Sequence, residues 1–449
     1  MTLPAPQTLR AVRGEILHFL SDPAAYGAAA SEHFADGILA IRDGHVAELG
    51  PAEDMLAKLP SDIVLDDYRG KLILPGFVDT HIHYAQTDII ASYGEQLLAW
   101  LERYTFPAEA RFADPDHAAA VASFFCDELL RNGTTTAMAF ATVHGTSVDA
   151  LFEAARQRRM RLITGKVLMD RNCPDFLRDT AESGDAESRA LVERWHGRDR
   201  LLYAVTPRFA ATSSTEQMTR AGRLFAEHPG LYLQSHVAEN CCEIEWIARL
   251  YPDARSYLDV YDGFGQLGPR SVYAHCIWLD DADRARMAAT GAAMSFCPTS
   301  NLFLGSGLFD LASARARGIR VGIGTDVGAG TSFSMLQTLN EAYKVLQLNN
   351  QRLSATDAFY LATLGGARSL YLDAQIGSFL SGHEADFVVL DPQATPLLAR
   401  RMANCASLDE RLFVLMMLGD DRAVAATHVM GEPAGLHPAL SKNSKTVNL

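Results

Sequence analysis

Short apolar runs alternate with amphipathic helical stretches through the middle of the chain. Helical stretches such as 118–131, 148–158 and 334–348 separate runs that have the length of buried strands. Eight strand-like runs cover residues 76–80, 134–138, 161–164, 202–205, 231–235, 271–274, 292–296 and 320–324. Strands and helices that alternate in this way over about 250 residues predict a parallel (β/α)8 barrel of the TIM type.

Both ends of the chain are instead rich in strands. Apolar runs of strand length lie at 16–20, 37–41, 45–49, 387–391 and 423–430. Asp43 and Gly44, between two of these runs, are a hairpin signal. Neither end is long enough to form a core of its own. We therefore predict that residues 1–70 and 380–449 pack together as a small composite β-sandwich domain, beside a barrel formed by residues 71–379.

The composition is that of a globular protein with a sizeable core, since 48% of the residues are apolar and 21% are charged. Lys and Arg total 40 against 54 Asp and Glu, which leaves a formal net charge of −14. A surface of that sign repels phosphate backbones, so nucleic acid is not expected as a partner. A membrane is not expected either, because the uncharged run 287–309 contains Pro298 and Asn301 and fits a strand followed by a loop.

The cysteines and the N-terminal segment predict a cellular location. The chain has seven cysteines, an odd number, and no C-x-x-C pair, which argues against a disulfide framework and a cysteine-rich zinc site. Cys241 and Cys242 are expected to be buried thiols. Residues 1–19 lack the basic segment, apolar run and cleavage site of a signal peptide. We therefore predict a cytoplasmic protein with reduced thiols.

Histidines and an aspartate follow four of the eight predicted strands. The first strand runs into His81 and His83, and alternation along a strand directs both to the same side. His236, His275 and Asp326 follow the fifth, sixth and eighth strands. Taken singly, each is a hydrogen-bonded core residue or a turn former as readily as a ligand. Because barrel active sites lie at the C-terminal ends of the strands, their shared position favours a hydrolytic zinc site.

These motifs resemble those of the amidohydrolase superfamily over nearly the whole chain. The segment 75–83 is similar to its opening motif, and the later histidines and the aspartate follow in the same order. Binuclear members carry a carboxylated lysine at the end of the fourth strand, where residues 205–209 contain no lysine. His236 and Glu239 form the H-x-x-E motif of the superfamily's deaminases. The resemblance therefore implies one zinc ion per chain rather than the two of a binuclear amide hydrolase.

The surrounding segments resemble, within that superfamily, the guanine deaminases, which hydrolyse guanine to xanthine and ammonia in purine catabolism. The similar segments are 84–88, 101–109, 207–209, 297–301 and 324–328. The resemblance implies a small-molecule purine substrate and a homodimer. Two alternatives stay open at this point: a zinc deaminase of another purine or of a pterin, and a binding protein on a barrel that has lost its chemistry.

The resemblance also implies roles for the residues at the strand ends. Four of them bind the zinc ion: His81, His83, His236 and Asp326. Asp326 also accepts a proton from the attacking water. His275 either orients that water, which is the preferred role, or serves as a weak additional ligand. Glu239 carries protons to and from the substrate. Alternatively, it caps a helix or is exposed to solvent.

Three further residues are candidates for binding the purine. Gln86 offers both a donor and an acceptor to a purine edge, or is a surface residue of a loop. Arg208 offers a planar fork of donors to a carbonyl oxygen, and Phe209 an aromatic face for stacking. Trp100 is expected to pack along its helix rather than to form a lid over the pocket. The substrate is also expected to contact His236, Glu239, His275 and Asp326.

Overall fold

The computed structural model describes residues 9–434, and it confirms the predicted (β/α)8 barrel. Barrel strands 1 to 8 span Phe77–His83, Thr134–Phe140, Arg161–Gly165, Leu201–Pro207, Tyr232–Val237, Ser271–His275, Ala293–Phe296 and Val321–Ile323. They are parallel and follow one another in chain order, and a short strand, Val167–Leu168, also pairs with strand 4. The N–H group of Asp326 donates to the carbonyl oxygen of His81 at 2.9 Å, which links the last strand to the first.

Helices follow the barrel strands and cover the outside of the barrel. The longer α-helices are Pro115–Arg131, Gly145–Gln157, Ala181–Trp195, Thr215–Glu227, Cys241–Leu250, Asp281–Thr290, Met335–Leu348 and Leu408–Leu418. The shorter ones are Pro23–Tyr26, Ala52–Leu56, Leu97–Trp100, Phe106–Ala110, Tyr257–Gly263, Pro298–Phe303, Leu311–Ala316, Ala355–Tyr360, Gly366–Ser369 and Pro396–Met402. The three helical stretches named from the sequence are confirmed, with ends that differ by at most three residues.

The two ends of the chain pair in one seven-stranded sheet. Its strands, in spatial order, are Glu432–Pro433, Val424–Val429, Phe387–Leu390, Val64–Pro75, Leu9–Phe19, Ser31–Arg42 and His45–Pro51. Strand Phe387–Leu390 pairs antiparallel with Val64–Pro75, which joins the C-terminal strands to the N-terminal ones. The predicted β-domain built from both chain ends is therefore confirmed. Its boundaries at residues 70 and 380 stay predictions, and residues 1–8 and 435–449 lie outside the described residues.

The hairpin predicted at Asp43 and Gly44 is also confirmed. Their φ angles of 52° and 82° are the two left-handed conformations of a tight type I′ hairpin turn. The expectation for Cys241 and Cys242 was wrong, since both are exposed. They are the first residues of a helix that buries Glu243 and Ile247, four residues apart, so they lie off its buried face. Among residues 9–434, the structure contains no helix that is both long and apolar enough to span a membrane.

A buried ion cluster joins the composite sheet to the N-terminal ends of barrel strands 3 and 4. Glu384 accepts hydrogen bonds from Arg161 Nε at 3.1 Å and from Arg200 Nε at 3.0 Å. Asp386 forms a further ion pair with Arg200. Burial alone would raise the pKa of Glu384, but the two guanidinium groups hold that pKa below its usual value. The cluster therefore keeps a charged carboxylate at the contact between sheet and barrel.

Replacing Glu384 with glutamine is expected to lower the free energy of unfolding by about 3 kcal/mol, because two buried guanidinium groups then lose a charge partner. Urea unfolding followed by circular dichroism measures the change. Glu216→Gln is the matched control, since its ion pair with Arg220 is exposed and its loss is expected to leave the free energy of unfolding nearly unchanged. A Glu384→Gln variant as stable as the control would contradict the prediction.

Candidate active site

The histidines and the aspartate predicted from the strand ends come together at the C-terminal end of the barrel. Nε2 of His81 and Nε2 of His83 lie 3.3 Å and 3.4 Å from Oδ1 of Asp326. Nε2 of His83 lies 3.2 Å from Nε2 of His236. His275 joins the cluster from strand 6, with its Nε2 at 3.8 Å from Oδ2 of Asp326. Side chains that are far apart in the sequence thus direct ring nitrogens and carboxylate oxygens at one point.

The backbone turns sharply where strands 5, 6 and 8 end. Ala238, His275 and Asp326 have φ angles of 51°, 71° and 52°, in the left-handed region that residues other than glycine seldom adopt. Such conformations cost about 1–3 kcal/mol each and persist only where the surroundings enforce them. Here hydrogen bonds between neighbouring strand ends do so, for example from the N–H of Cys276 to the carbonyl oxygen of Val237 at 3.0 Å. The turns place the site side chains over the barrel mouth.

The imidazoles are held in the neutral form that coordinates metal ions. Burial lowers the pKa of His81, and it lowers the pKa values of His83 and His236 well below the usual value. Nδ1–H of His236 donates to the carbonyl oxygen of Arg208 at 2.7 Å, so the lone pair of this imidazole is on Nε2. A neutral imidazole with a free nitrogen is a common ligand of zinc.

Asp326 supplies negative charge to the same cluster. Burial alone would raise the pKa of Asp326, but the adjacent histidines, His81 above all, hold it well below the usual value. Nε2 of His81 is buried and makes no hydrogen bond within residues 9–434. Three neutral imidazoles and one carboxylate, with an uncommitted ring nitrogen among them, fit a divalent metal ion. The predicted ligand set is therefore able to hold such an ion.

A pocket opens above this cluster. It encloses about 450 Å³ of empty space, part of it open to solvent. Its lining includes every residue predicted to contact the substrate, namely Gln86, Arg208, Phe209, His236, Glu239, His275 and Asp326. The structure thus brings the predicted substrate residues to one cavity, and their individual roles stay predictions.

Glu239 lies just beyond strand 5, between the metal cluster and the pocket. Its Oε2 is 3.3 Å from Nε2 of His275, and its Oε1 accepts a hydrogen bond from the hydroxyl of Ser306 at 3.0 Å. The pKa of Glu239 is raised to about 7, mainly by burial and with a smaller contribution from the carboxylate of Glu243, against the opposing effect of His275. A carboxyl group with a pKa near neutrality both donates and accepts protons readily.

His275 is held between an amide and two carboxylates. Its Nδ1–H donates to Oδ1 of Asn301 at 2.9 Å, which directs Nε2 towards Glu239 and Asp326. Burial alone would lower the pKa of His275, but these carboxylates raise it above its usual value. His275 also forms a possible three-residue metal cluster with His81 and Asp326. Its position is thus compatible with both roles predicted from the sequence.

The remaining predicted residues also line the pocket. Arg208 follows strand 4, and its Nη1 donates to both carboxylate oxygens of Glu109 at 2.8 Å. Gln86 is buried rather than on a surface loop, and its Oε1 accepts from the N–H of Gly328 at 3.3 Å. Phe209 is buried and lines the same pocket. A fork of donors, an amide and an aromatic ring therefore lie in one cavity.

Sequence reasoning missed several residues that the structure adds to the site. Glu109 and Asn301 lie within segments that were singled out, but neither was given a role. A single acid among the apolar residues 106–110 was the available signal for Glu109, whereas nothing local pointed to Ser306. Trp100 packs against Tyr104 with ring centroids 5.0 Å apart, as helix packing predicts, and it also lines the pocket.

The chain is similar to known proteins over most of its length. Residues 72–434 match the amidohydrolase family. The sequence is 55% identical to guanine deaminase of Escherichia coli (strain K12), covering 94% of this chain and 97% of that protein. The solved structure of E. coli guanine deaminase matches with a TM-score of 0.93 at 54% identity and covers 94% of this chain and 99% of that chain.

A second solved structure shows the same similarity at lower identity. The guanine deaminase from C. acetobutylicum, solved with bound guanine in the active site, matches with a TM-score of 0.86 at 28% identity. The match covers 95% of this chain and 100% of that chain. Family match, relatives and site geometry agree: the chain belongs to the amidohydrolase family.

Proposed function

We propose that this protein is an enzyme that hydrolyses guanine to xanthine and ammonia. One observation carries the proposal: three of the four metal-ligand candidates, an acid–base glutamate and a buried arginine line one pocket, in a chain 55% identical to E. coli guanine deaminase. Hydrolysis of an amino-purine needs an activated water, a proton carrier and groups that hold the ring, and the pocket offers residues for each of the three.

We propose zinc as the metal ion, one per chain, bound by His81, His83, His236 and Asp326. The donor set supports this assignment, since imidazoles and a carboxylate in a four-ligand cluster suit zinc. When bound, the ion supplies Lewis-acid activation of the water that attacks the substrate.

The protein's own acids and bases move the protons. Asp326 is ionised and belongs to the proposed ligand set, so it is the base that would accept the first proton from the attacking water. Glu239, with its raised pKa, donates a proton to a ring nitrogen of guanine while oxygen adds to C2, and it then helps the amino group leave as ammonia. His275 orients the water through its Nε2. The bond between C2 and the exocyclic amino nitrogen breaks and a C2–O bond replaces it. Guanine and water are thereby converted into xanthine and ammonia.

Three residues of the pocket lining hold the purine. The guanidinium of Arg208 carries donors only and suits the oxygen at C6 of guanine. The amide of Gln86 can bind the purine edge, and the ring of Phe209 provides an apolar face beside it. These contacts place C2 and its amino group towards Glu239 and the metal cluster.

Replacing Arg208 with leucine is expected to lower kcat/KM for guanine by about 100-fold or more, because the C6 oxygen loses charge-assisted hydrogen bonds from a buried guanidinium. Steady-state kinetics with guanine measure the change, and metal content should stay at the wild-type level. The control is Arg103→Leu, an exposed arginine paired with Glu95, which is expected to keep wild-type kinetics. An Arg208→Leu variant as active as this control would rule out the assigned contact.

Purified protein incubated with guanine tests the function directly. We expect xanthine and ammonia to form in equal amounts. Ultraviolet absorbance measures the xanthine, and a coupled assay measures the ammonia. The same assay with other amino-purines and with a pterin compares kcat/KM among substrates. Formation of neither product, or a higher kcat/KM for one of the other compounds, would overturn the proposal.

We propose further that the enzyme is a cytoplasmic homodimer that serves purine catabolism. Seven cysteines without a disulfide bond among them support a reducing compartment. The homodimer rests on resemblance to the guanine deaminases, and sedimentation equilibrium of the purified chain tests it. A mass near 49.0 kDa would correspond to a monomer and would overturn the proposed assembly.

A further inference from the structure

We infer that Glu109 is a positioning residue for Arg208 and thereby sets the preference of the pocket for a purine with an oxygen at C6. The inference deepens the proposed function and rests on it, since it takes Arg208 as the group that contacts that oxygen. Glu109 itself does not line the pocket as described above, so its effect is exerted through the guanidinium.

The contact between the two side chains is close and shielded from water. Nη1 of Arg208 donates to Oε1 and to Oε2 of Glu109, both at 2.8 Å. The arginine side chain is 2% exposed and the glutamate side chain is fully buried. Hydrogen bonds between opposite charges are strong, and screening by water is weak at such depth. The pair therefore holds the guanidinium in one place before any substrate binds.

The ion pair engages only one nitrogen of the guanidinium. Within residues 9–434, Arg208 makes no other side-chain hydrogen bond, although it lines the pocket. Nε and Nη2 therefore retain donors for a ligand, on a planar group whose orientation is set from behind. One nitrogen of the guanidinium thus binds the protein carboxylate, and the other two can donate to a ligand oxygen. Recognition of the C6 oxygen requires this arrangement.

A second contact from the same helical turn limits how the guanidinium can tilt. The ring of Phe106, three residues before Glu109 in helix Phe106–Ala110, lies with its centroid 5.5 Å from Cζ of Arg208. Residues three apart on a helix share a face, so ring and carboxylate approach the arginine together. The preceding helical residues Trp100 and Leu101 line the pocket. The contacts of Phe106 and Glu109 with Arg208 thus connect this helical segment to the end of strand 4.

Charge compensation supports the same role. An unpaired guanidinium buried to this degree is unfavourable, and it would attract an anion or water into the pocket. The carboxylate of Glu109 offsets its charge, which leaves donors suited to the partial negative charge of a neutral carbonyl oxygen. Preorganised donors of this kind bind without reorganising when the ligand arrives.

The test compares two inhibitors that differ at C6. Hypoxanthine carries an oxygen there and purine carries hydrogen, and neither has an amino group at C2 to lose. In Glu109→Gln, the inhibition constant of hypoxanthine is expected to rise about tenfold, which is the scale of one hydrogen bond to a charged group. The inhibition constant of the unsubstituted purine should stay within about twofold of the wild-type value. We also expect kcat/KM for guanine to fall about 10–100-fold with metal content unchanged.

Three further variants separate positioning from a general loss of structure. Glu384→Gln breaks a buried ion pair at the opposite end of the barrel and should leave both inhibition constants unchanged. Glu109→Asp keeps the charge but retracts the carboxylate. We expect the inhibition constant of hypoxanthine to rise less than in Glu109→Gln, and that of purine to stay unchanged. In the Arg208→Leu background, Glu109→Gln should cause no additional rise for hypoxanthine, because Glu109 acts through Arg208.

The outcomes for the inference and for the proposed function are distinguishable. Unchanged discrimination between the two inhibitors in both Glu109 variants would overturn the positioning role, as would an additional rise in the Arg208→Leu background. Wild-type protein that releases no ammonia from guanine would overturn the proposed function, and the inference with it. Wild-type activity on guanine combined with unchanged discrimination in the variants would overturn the positioning role alone.

Discussion

Replacing His236 with alanine is expected to remove the metal ion and guanine hydrolysis together. The variant loses an imidazole whose Nε2 lies 3.2 Å from that of His83 and whose other nitrogen is committed to a backbone carbonyl. With one of four proposed ligands missing, metal content should fall from one equivalent towards zero, and kcat should drop by about 10³-fold or more. His81→Ala is expected to behave in the same way.

Elemental analysis of the purified variants, alongside their ammonia release, measures both effects. His45→Ala is the matched control, because His45 is an exposed residue of the composite sheet and its loss should leave metal and activity at wild-type levels. Full metal occupancy in His81→Ala or in His236→Ala would remove that residue from the ligand set.

Replacing Glu239 with glutamine is expected to separate metal binding from turnover. Glu239 contacts His275 and Ser306 and is not a proposed ligand, so the metal content should stay at one equivalent. Glutamine has nearly the same shape but cannot exchange a proton. The turnover number should fall by about 10²–10⁴-fold, the usual scale for a general acid–base group.

The contrast with Glu245→Gln makes this test specific. Glu245 is an exposed carboxylate in the helix that follows Glu239, and its loss is expected to leave turnover unchanged. Steady-state kinetics and metal analysis on both variants provide the comparison. A Glu239→Gln variant with turnover like that of Glu245→Gln would exclude Glu239 from proton transfer.

The barrel and the strand-end cluster were accessible from the sequence for a physical reason. Buried parallel strands leave apolar runs, and their C-terminal ends all lie on one face, so a residue's place at the end of a run predicts where its side chain goes. His81, His236 and Asp326 were located in this way, and the structure brings them together. Their closeness needed no knowledge of any individual contact.

Exposure was harder to predict than element type. Cys241 and Cys242 read as apolar residues beside a strand end, yet they are exposed on the first turn of a helix. Gln86 is polar and follows a strand, yet it is buried against the backbone of Gly328. In both cases the decision depends on which face of a short turn meets another part of the fold, and a local pattern does not contain that information.

Three features were predictable from the sequence: the strand–helix alternation, the packing of the two chain ends into one small β-domain, and the group of ligand-type residues at the barrel mouth. These features follow from periodicity and from the geometry of parallel strands. The contacts of Glu109 with Arg208, 99 residues away, and of Ser306 with Glu239 became visible only in the folded chain. Several carboxylates and hydroxyls of the chain were equally plausible partners, and long-range packing selects among them because burial makes an unpaired charge too unfavourable to persist.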